Sequence, residues 1–164
     1  MSRPNAASPI VPSTAKASTV ENAPLPNMQA WPPEARDIFE KSDKIIVYFL
    51  DAEGTAQEND FHHYPILGQV EVNEPEAQQA LRDAVREGIA QGNVMARCFA
   101  PQHGIRAIDG KRTVDLVICF QCAQFATYLN DQPIPVAVLP ISGAPRTLLN
   151  DMLERGGVPA NRQK

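Results

Sequence analysis

Apolar and polar positions fall in blocks along this chain, and the period changes from block to block. Trp31-Pro32-Pro33 opens a short predicted helix with Ala35, Ile38 and Phe39 on one side, since proline is tolerated in a first turn. Lys44–Leu50 (KIIVYFL) is an unbroken apolar run, which predicts a central strand buried on both faces. A polar loop over Asp51–Phe61 separates it from a second predicted strand, Tyr64–Val72, with Ile66, Val70 and Val72 on one face. Ala77, Ala80, Leu81, Ala84, Val85, Gly88 and Ile89 then follow helical spacing. The stripe is mostly small residues, which implies a helix lying close to a sheet. Asn73 and Glu76 predict a capping box before it, and Gly92 a left-handed residue after it.

Residues 93–122 read as one long antiparallel hairpin turning at Asp109-Gly110. Ile134–Ile141 contains Pro135 and Pro140, and a residue that cannot donate to a ladder belongs at a sheet edge. Ser142 is the expected cap of a last helix, with Leu148, Leu149, Met152 and Leu153 facing inward and Gly156-Gly157 and Pro159 stopping it. The order is α-β-β-α-β-β-β-α. It predicts an α+β fold: a mostly antiparallel five-stranded sheet with helices packed on one face.

Composition adds limits. Seven of the fifteen prolines lie in residues 1–33 among Ser, Ala, Asn and Thr, so residues 1–29 read as a disordered leader. Leu25, Met28 and Trp31 are the apolar anchors through which it would dock. Residues 30–160 form a single α+β domain and 161–164 a tail, as the length of 164 residues suits. A net charge of −4 argues against nucleic acid, and no apolar run approaches the ~20 residues of a membrane span. No secretory h-region is present, so the chain reads as cytoplasmic. Three cysteines is an odd count that suits reduced thiols.

The hairpin gathers the candidate chemistry. With a turn at Asp109-Gly110, Arg106 faces Thr113 and sits diagonal to Asp115; a carboxylate inside a strand needs such a partner, so Arg106 and Asp115 are a predicted structural ion pair. Pro101 predicts a bulge near Pro101–Gly104 that shifts the register by one. Cys98, His103, Cys119 and Cys122 are candidate metal or redox residues. Zinc needs four converging donors, whereas Cys119-Phe120-Gln121-Cys122 reads as strand, whose residues three apart point to opposite faces. Redox chemistry needs a low-pKa thiolate, and no helix begins at Cys119. A Cys98–Cys119 or Cys98–Cys122 disulfide fits across adjacent strands, while small buried thiols are the simplest account. His103 is expected to bond a backbone group in the bulge. His62-His63 is a further weak metal hint.

Gln102-His103-Gly104 resembles the Arg-His-Gly signature of histidine phosphatases, with Gln in place of Arg. The stretch from Phe61 to Val158 resembles a family of uncharacterised small bacterial proteins. Shared blocks are a Phe-His followed by Leu-Gly, Cys-Phe-x-Pro-x-His-Gly-Ile-Arg, and Val-Asp-Leu-Val-Ile-Cys-Phe-x-Cys. That resemblance implies no activity and supports the hairpin as a unit.

No convergent catalytic set emerges, and no cofactor is expected. The leading expectation is a non-enzymatic protein-interaction domain of immunity or inhibitor type that occludes a partner. Glu53, Glu58, Asp60, Glu71, Glu74 and Glu76 form its candidate acidic partner surface, suited to a basic secreted toxin. The alternative expectation is a metal-binding or thiol-redox domain built on Cys98, His103, Cys119 and Cys122.

Overall fold

A computed structural model describes residues 26–160. Its elements are α1 (Pro26–Ala30), α2 (Pro33–Lys41), β1 (Lys44–Leu50), β2 (Ile66–Val72), α3 (Pro75–Gln91), β3 (His103–Asp109), β4 (Arg112–Cys119), β5 (Gln124–Leu129), β6 (Gln132–Pro140) and α4 (Arg146–Arg155). The strands form one antiparallel sheet in the order β2-β1-β3-β4-β5-β6. The fold is α+β, as the order of elements predicts. The sheet has six strands rather than five, because the segment after Cys122 returns as β5. β6 takes the edge that its prolines require.

Two apolar clusters lie on opposite faces. The larger joins Ile45, Val47, Phe49, Ile105, Ala107, Val114, Leu116, Ile118 and Phe125 from the strands with residues of all four helices. The smaller is built on Tyr48, Leu50, Phe61 and Val117, with Tyr64, Phe99 and Tyr128 against it, and contains no helical residue. Strands read as unbroken apolar runs because both faces are covered, one by helices and one by the β1–β2 loop.

Several local expectations change. α1 takes in Pro26 to Gln29 of the predicted leader, and the rest of that leader, with Leu25, lies outside the described residues, as does the 161–164 tail. Trp31 is not a docking anchor. It is fully buried, set edge-on against Phe39 and Phe125, and donates its indole N–H to Thr127 Oγ1 at 3.2 Å. No capping box forms: Glu74 is the N-cap of α3 and Pro75 occupies the first turn, where its missing N–H costs nothing. Ala80 is exposed, while Gln78 and Arg82 of the same helix are buried and donate to the Val72 and Phe39 carbonyls. Gly92 is extended (φ −65°), and what selects glycine is space: a Cβ there would stand 2.6 Å from the Pro140 carbonyl. Ser142 does not cap α4, whose N-cap is Pro145; its hydroxyl accepts from the Ala144 amide instead.

The β3–β4 hairpin spans 103–119 rather than 93–122, and its two-residue loop is Gly110-Lys111, one place beyond the predicted turn. Gly110 has φ +61°, as the first central position of a type II′ turn requires. The shift brings Arg106 directly opposite Asp115. Pairing is continuous from His103 to Asp109, so the predicted bulge near Pro101–Gly104 is absent. The irregularities lie between Phe49 and Leu50 on the β2 side, and between Ala126 and Tyr128 on the β6 side. The first sends Ile66 to the face opposite Val72, where it packs on the smaller cluster.

Candidate functional site

Three regions hold the polar chemistry. The first is on the loop-covered face. Asp115, whose side chain is 1% exposed, accepts from Arg106 Nε (2.8 Å, Oδ1) and Nη2 (2.6 Å, Oδ2), and from His62 Nε2 (2.7 Å, Oδ2). A carboxylate accepts only, so His62 carries its proton on Nε2. Arg106 also donates to Asp131 at 2.8 Å, and its bond to Asp115 holds the guanidinium well above its usual range. His62 stacks on Tyr128 at 3.7 Å between ring centres, Phe61 stacks on Tyr48 at 4.4 Å, and Arg106 lies over Phe61. Burial raises the Tyr48, Tyr64 and Tyr128 hydroxyls above the ordinary tyrosine range. Gly104 leaves room for Phe61, since a Cβ would stand 2.6 Å from its ring. The whole arrangement ties the loop onto the sheet. His62, Asp115 and Asp131 also offer ligand atoms within 4.8 Å of one another, but Arg106 already supplies the positive charge there.

The second region is the cysteine loop. β4 ends at Cys119, and residues 120–123 form the β4–β5 connection, with Ala123 at φ 56°. The C-x-x-C therefore sits on a turn rather than along a strand as predicted. The Cys122 amide donates to Cys119 Sγ at 3.1 Å, and Cys119 is a buried free thiol. Cys122 is bonded to Cys98 with a Cα–Cα distance of 5.8 Å, so one disulfide and one thiol replace three reduced thiols. Cys98 is not on a strand; it sits in the irregular segment 93–102. That segment is held by the disulfide, by the Ala96 amide donating to the Cys122 carbonyl, and by Gln124 Nε2 donating to the Cys98 carbonyl. Val94 and Met95, 67% and 49% exposed, precede the brace.

The third region is a cavity of about 270 Å³ at the end of the sheet where β3 begins and β4 ends. It is lined by Ala100, Gln102, His103, Phe120, Gln121 and Arg146. His103 is buried on the helical face, and its Nε2 donates to Asn150 Oδ1 of α4 at 2.6 Å, not to a backbone group. Burial, helped by the Arg146 charge and opposed by the Asn150 bond, holds the imidazole below its ordinary range. Of the four candidate metal or redox residues, the structure joins Cys98 and Cys122 covalently and sets Cys119 beside Cys122. His103 is on the opposite face of the sheet from Cys119, because Cys119 lies in phase with Asp115 and Val117 and His103 with Ile105.

The candidate acidic residues divide. Glu53, Glu58 and Asp60 lie in the loop before β2, and Glu71, Glu74 and Glu76 at its far end, roughly 20 Å away along seven strand residues. Five are exposed, Asp60 is partly covered, and Glu71 pairs with Lys44 at 3.5 Å. They form two patches rather than one. The role of His62 is not written in the local sequence. Its only signal was that Asp115 needed more donors than one arginine supplies, and nothing local connects positions 62 and 115. Among the described residues no helix is long and apolar enough to cross a membrane. No family model, curated protein or solved structure matches the chain.

Proposed function

We propose that the chain is a non-enzymatic protein-interaction domain that occludes a basic protein partner. The observation that carries this reading is the braced segment around Cys98. An irregular stretch presenting Val94 and Met95 to solvent is fixed at Cys98, so less ordering entropy is lost on binding. Methionine is enriched at protein interfaces, and the net charge of −4 steers a basic partner. A structural disulfide persists where thiols are kept oxidised, so this reading places the binding form in an oxidising compartment rather than in the cytoplasm expected from the lack of a secretory h-region. The test compares immobilised wild-type protein with the exposed double replacement Val94→Asp/Met95→Asp. Stoichiometric retention of one basic protein by the first form alone, declining as salt rises, supports the reading. Equal retention by both folded forms rejects it.

A second reading, thiol–disulfide exchange, is favoured by the position of Cys119 beside Cys122. The Cys119 thiolate would attack Cys122 Sγ, breaking the Cys98–Cys122 bond, forming Cys119–Cys122 and releasing Cys98 as thiolate, with the Cys119 proton passing to solvent or to Cys98. Peptide mapping after equilibration in a glutathione buffer decides it: a Cys119–Cys122 linkage must be found alongside Cys98–Cys122.

A further inference from the structure

The cavity at the His103 end of the sheet has a composition at odds with the rest of the molecule. The chain is acidic, yet no carboxylate lines the cavity: its polar wall is Arg146, His103, Gln102 and Gln121. Arg82, Arg86, Arg106 and Arg112 are each bonded to a carboxylate or a carbonyl. Arg146 forms no ion pair among the described residues, although it stands at the mouth of a concave site. Its charge already disfavours protonation of the buried His103. Around one void stand two donor side chains, Arg146 and Gln121, beside a neutral imidazole whose N–H is spent on Asn150, so the wall is positively biased. Phe120 and Ala100 supply an apolar flank. The volume falls just below the roughly 300–1,000 Å³ of ordinary small-molecule sites, so the occupant is small.

We propose that this cavity binds a small organic molecule through one oxyanion group, a carboxylate or a phosphate, with Arg146 as its cationic anchor and the Gln121 amide as a further donor. Arginine presents a planar fork that matches either group in two parallel hydrogen bonds. The body of the ligand lies against Phe120 and Ala100. The imidazole of His103, fixed by Asn150 and set edge-on to Phe49 and Phe120, is the rigid floor of the site. Both walls are tied to the disulfide: Phe120 and Gln121 lie between Cys119 and Cys122, and Ala100 and Gln102 follow Cys98. The site is thus preorganised by the same brace that fixes Val94 and Met95, yet it uses different side chains.

The experiment titrates the full chain with benzoate and, separately, with inorganic phosphate, following backbone amide resonances. Shifts confined to residues 100–103, 120–121 and 146 that saturate with a dissociation constant below about 10 mM support the site. Saturation by benzoate alone identifies a carboxylate ligand, and by phosphate alone a phosphate. Arg146→Gln, at an exposed position, is expected to weaken binding at least tenfold, and Cys98→Ser several-fold. Shifts that never saturate, or that survive Arg146→Gln unchanged, overturn the proposal. Val94→Asp/Met95→Asp leaves the titration unaltered, so failure here and failure of the interaction reading are distinct results.

Discussion

The two faces of the sheet are closed by different physics. On one, four helices lay apolar stripes over Ile45, Val47, Ile105, Leu116 and Phe125, and the contact is non-directional and broad. On the other, a connection of about fifteen residues covers Tyr48, Leu50 and Val117 through one aromatic plug, Phe61, and a carboxylate shared by His62 and Arg106. A loop buries little area, so it is fastened at a few points by directional bonds that fail if one partner is lost. The helical face should yield gradually to mutation and the loop face abruptly.

Two neighbouring substitutions are expected to have the largest effects, and Asp115→Ala is the first. It leaves the Arg106 guanidinium and the His62 ring without their shared acceptor, at a cost of about 3–5 kcal/mol, toward the lower end because Arg106 keeps 28% of its side chain in water. Its neighbour Leu116→Ala, on the helical face, costs about 2–5 kcal/mol by cavity formation. Rescue separates them. Arg106→Met combined with Asp115→Leu should recover much of the loss, because no charge is then stranded. Urea denaturation of the single and double variants measures this; a double variant no more stable than Asp115→Ala would remove the distinction between the faces.

Cys98→Ser tests the segment that flanks the loop-covered face. Opening a loop of 24 residues of sequence separation removes about 2–4 kcal/mol by its effect on the unfolded chain. Hydrogen exchange should show residues 93–99 losing protection first, while β3 and β4 keep theirs. Uniform loss across the sheet would mean that the segment is an integral part of the core rather than a braced addition.

The same contrast governs what the sequence revealed. Central strand β1, helix α3, the proline-bearing edge β6 and the Gly156-Gly157 stop are written in local spacing, and each was legible. The β3–β4 turn was found but misplaced by one residue, because Asp109-Gly110 and Gly110-Lys111 both satisfy a two-residue loop and differ only in which positions take positive φ. That single step moved Arg106 from diagonal to opposite Asp115. The turn after Cys119 was invisible, since Phe120, Gln121 and Ala123 carry no turn signature and the left-handed residue is an alanine. Beside Trp31 stand Pro32 and Pro33, which predict a chain entering a first turn, whereas its partners Phe39, Phe125 and Thr127 lie up to 96 positions away. His62 likewise bonds across 53 residues.

Acidification probes the helical face through His103. Its folded-state pKa is lowered, so between that value and the ordinary value near 6.5 the unfolded chain binds a proton that the folded chain does not. Stability is therefore expected to fall as pH drops below about 6.5, with a slope of at most about 1.4 kcal/mol per pH unit from this group. His103→Gln should flatten the profile between pH 5 and 7. An unchanged slope would assign the dependence to other groups.

The smallest expected effect separates the two costs stored in the loop at His62. That residue has φ 49°, a left-handed conformation that a side chain opposes by about 1–2 kcal/mol, and His63 beside it has φ 75°. His62→Ala and His62→Gly both delete the bond to Asp115 and the stack on Tyr128, but only glycine also relieves the backbone. Glycine should therefore be the more stable replacement by about 1 kcal/mol, the reverse of their order in a helix. Thermal melting of the pair measures the difference directly. If alanine proves equal or better, the backbone at 62 is not strained, and what His62 contributes to closing this face is its side-chain bond to Asp115 and its stack on Tyr128.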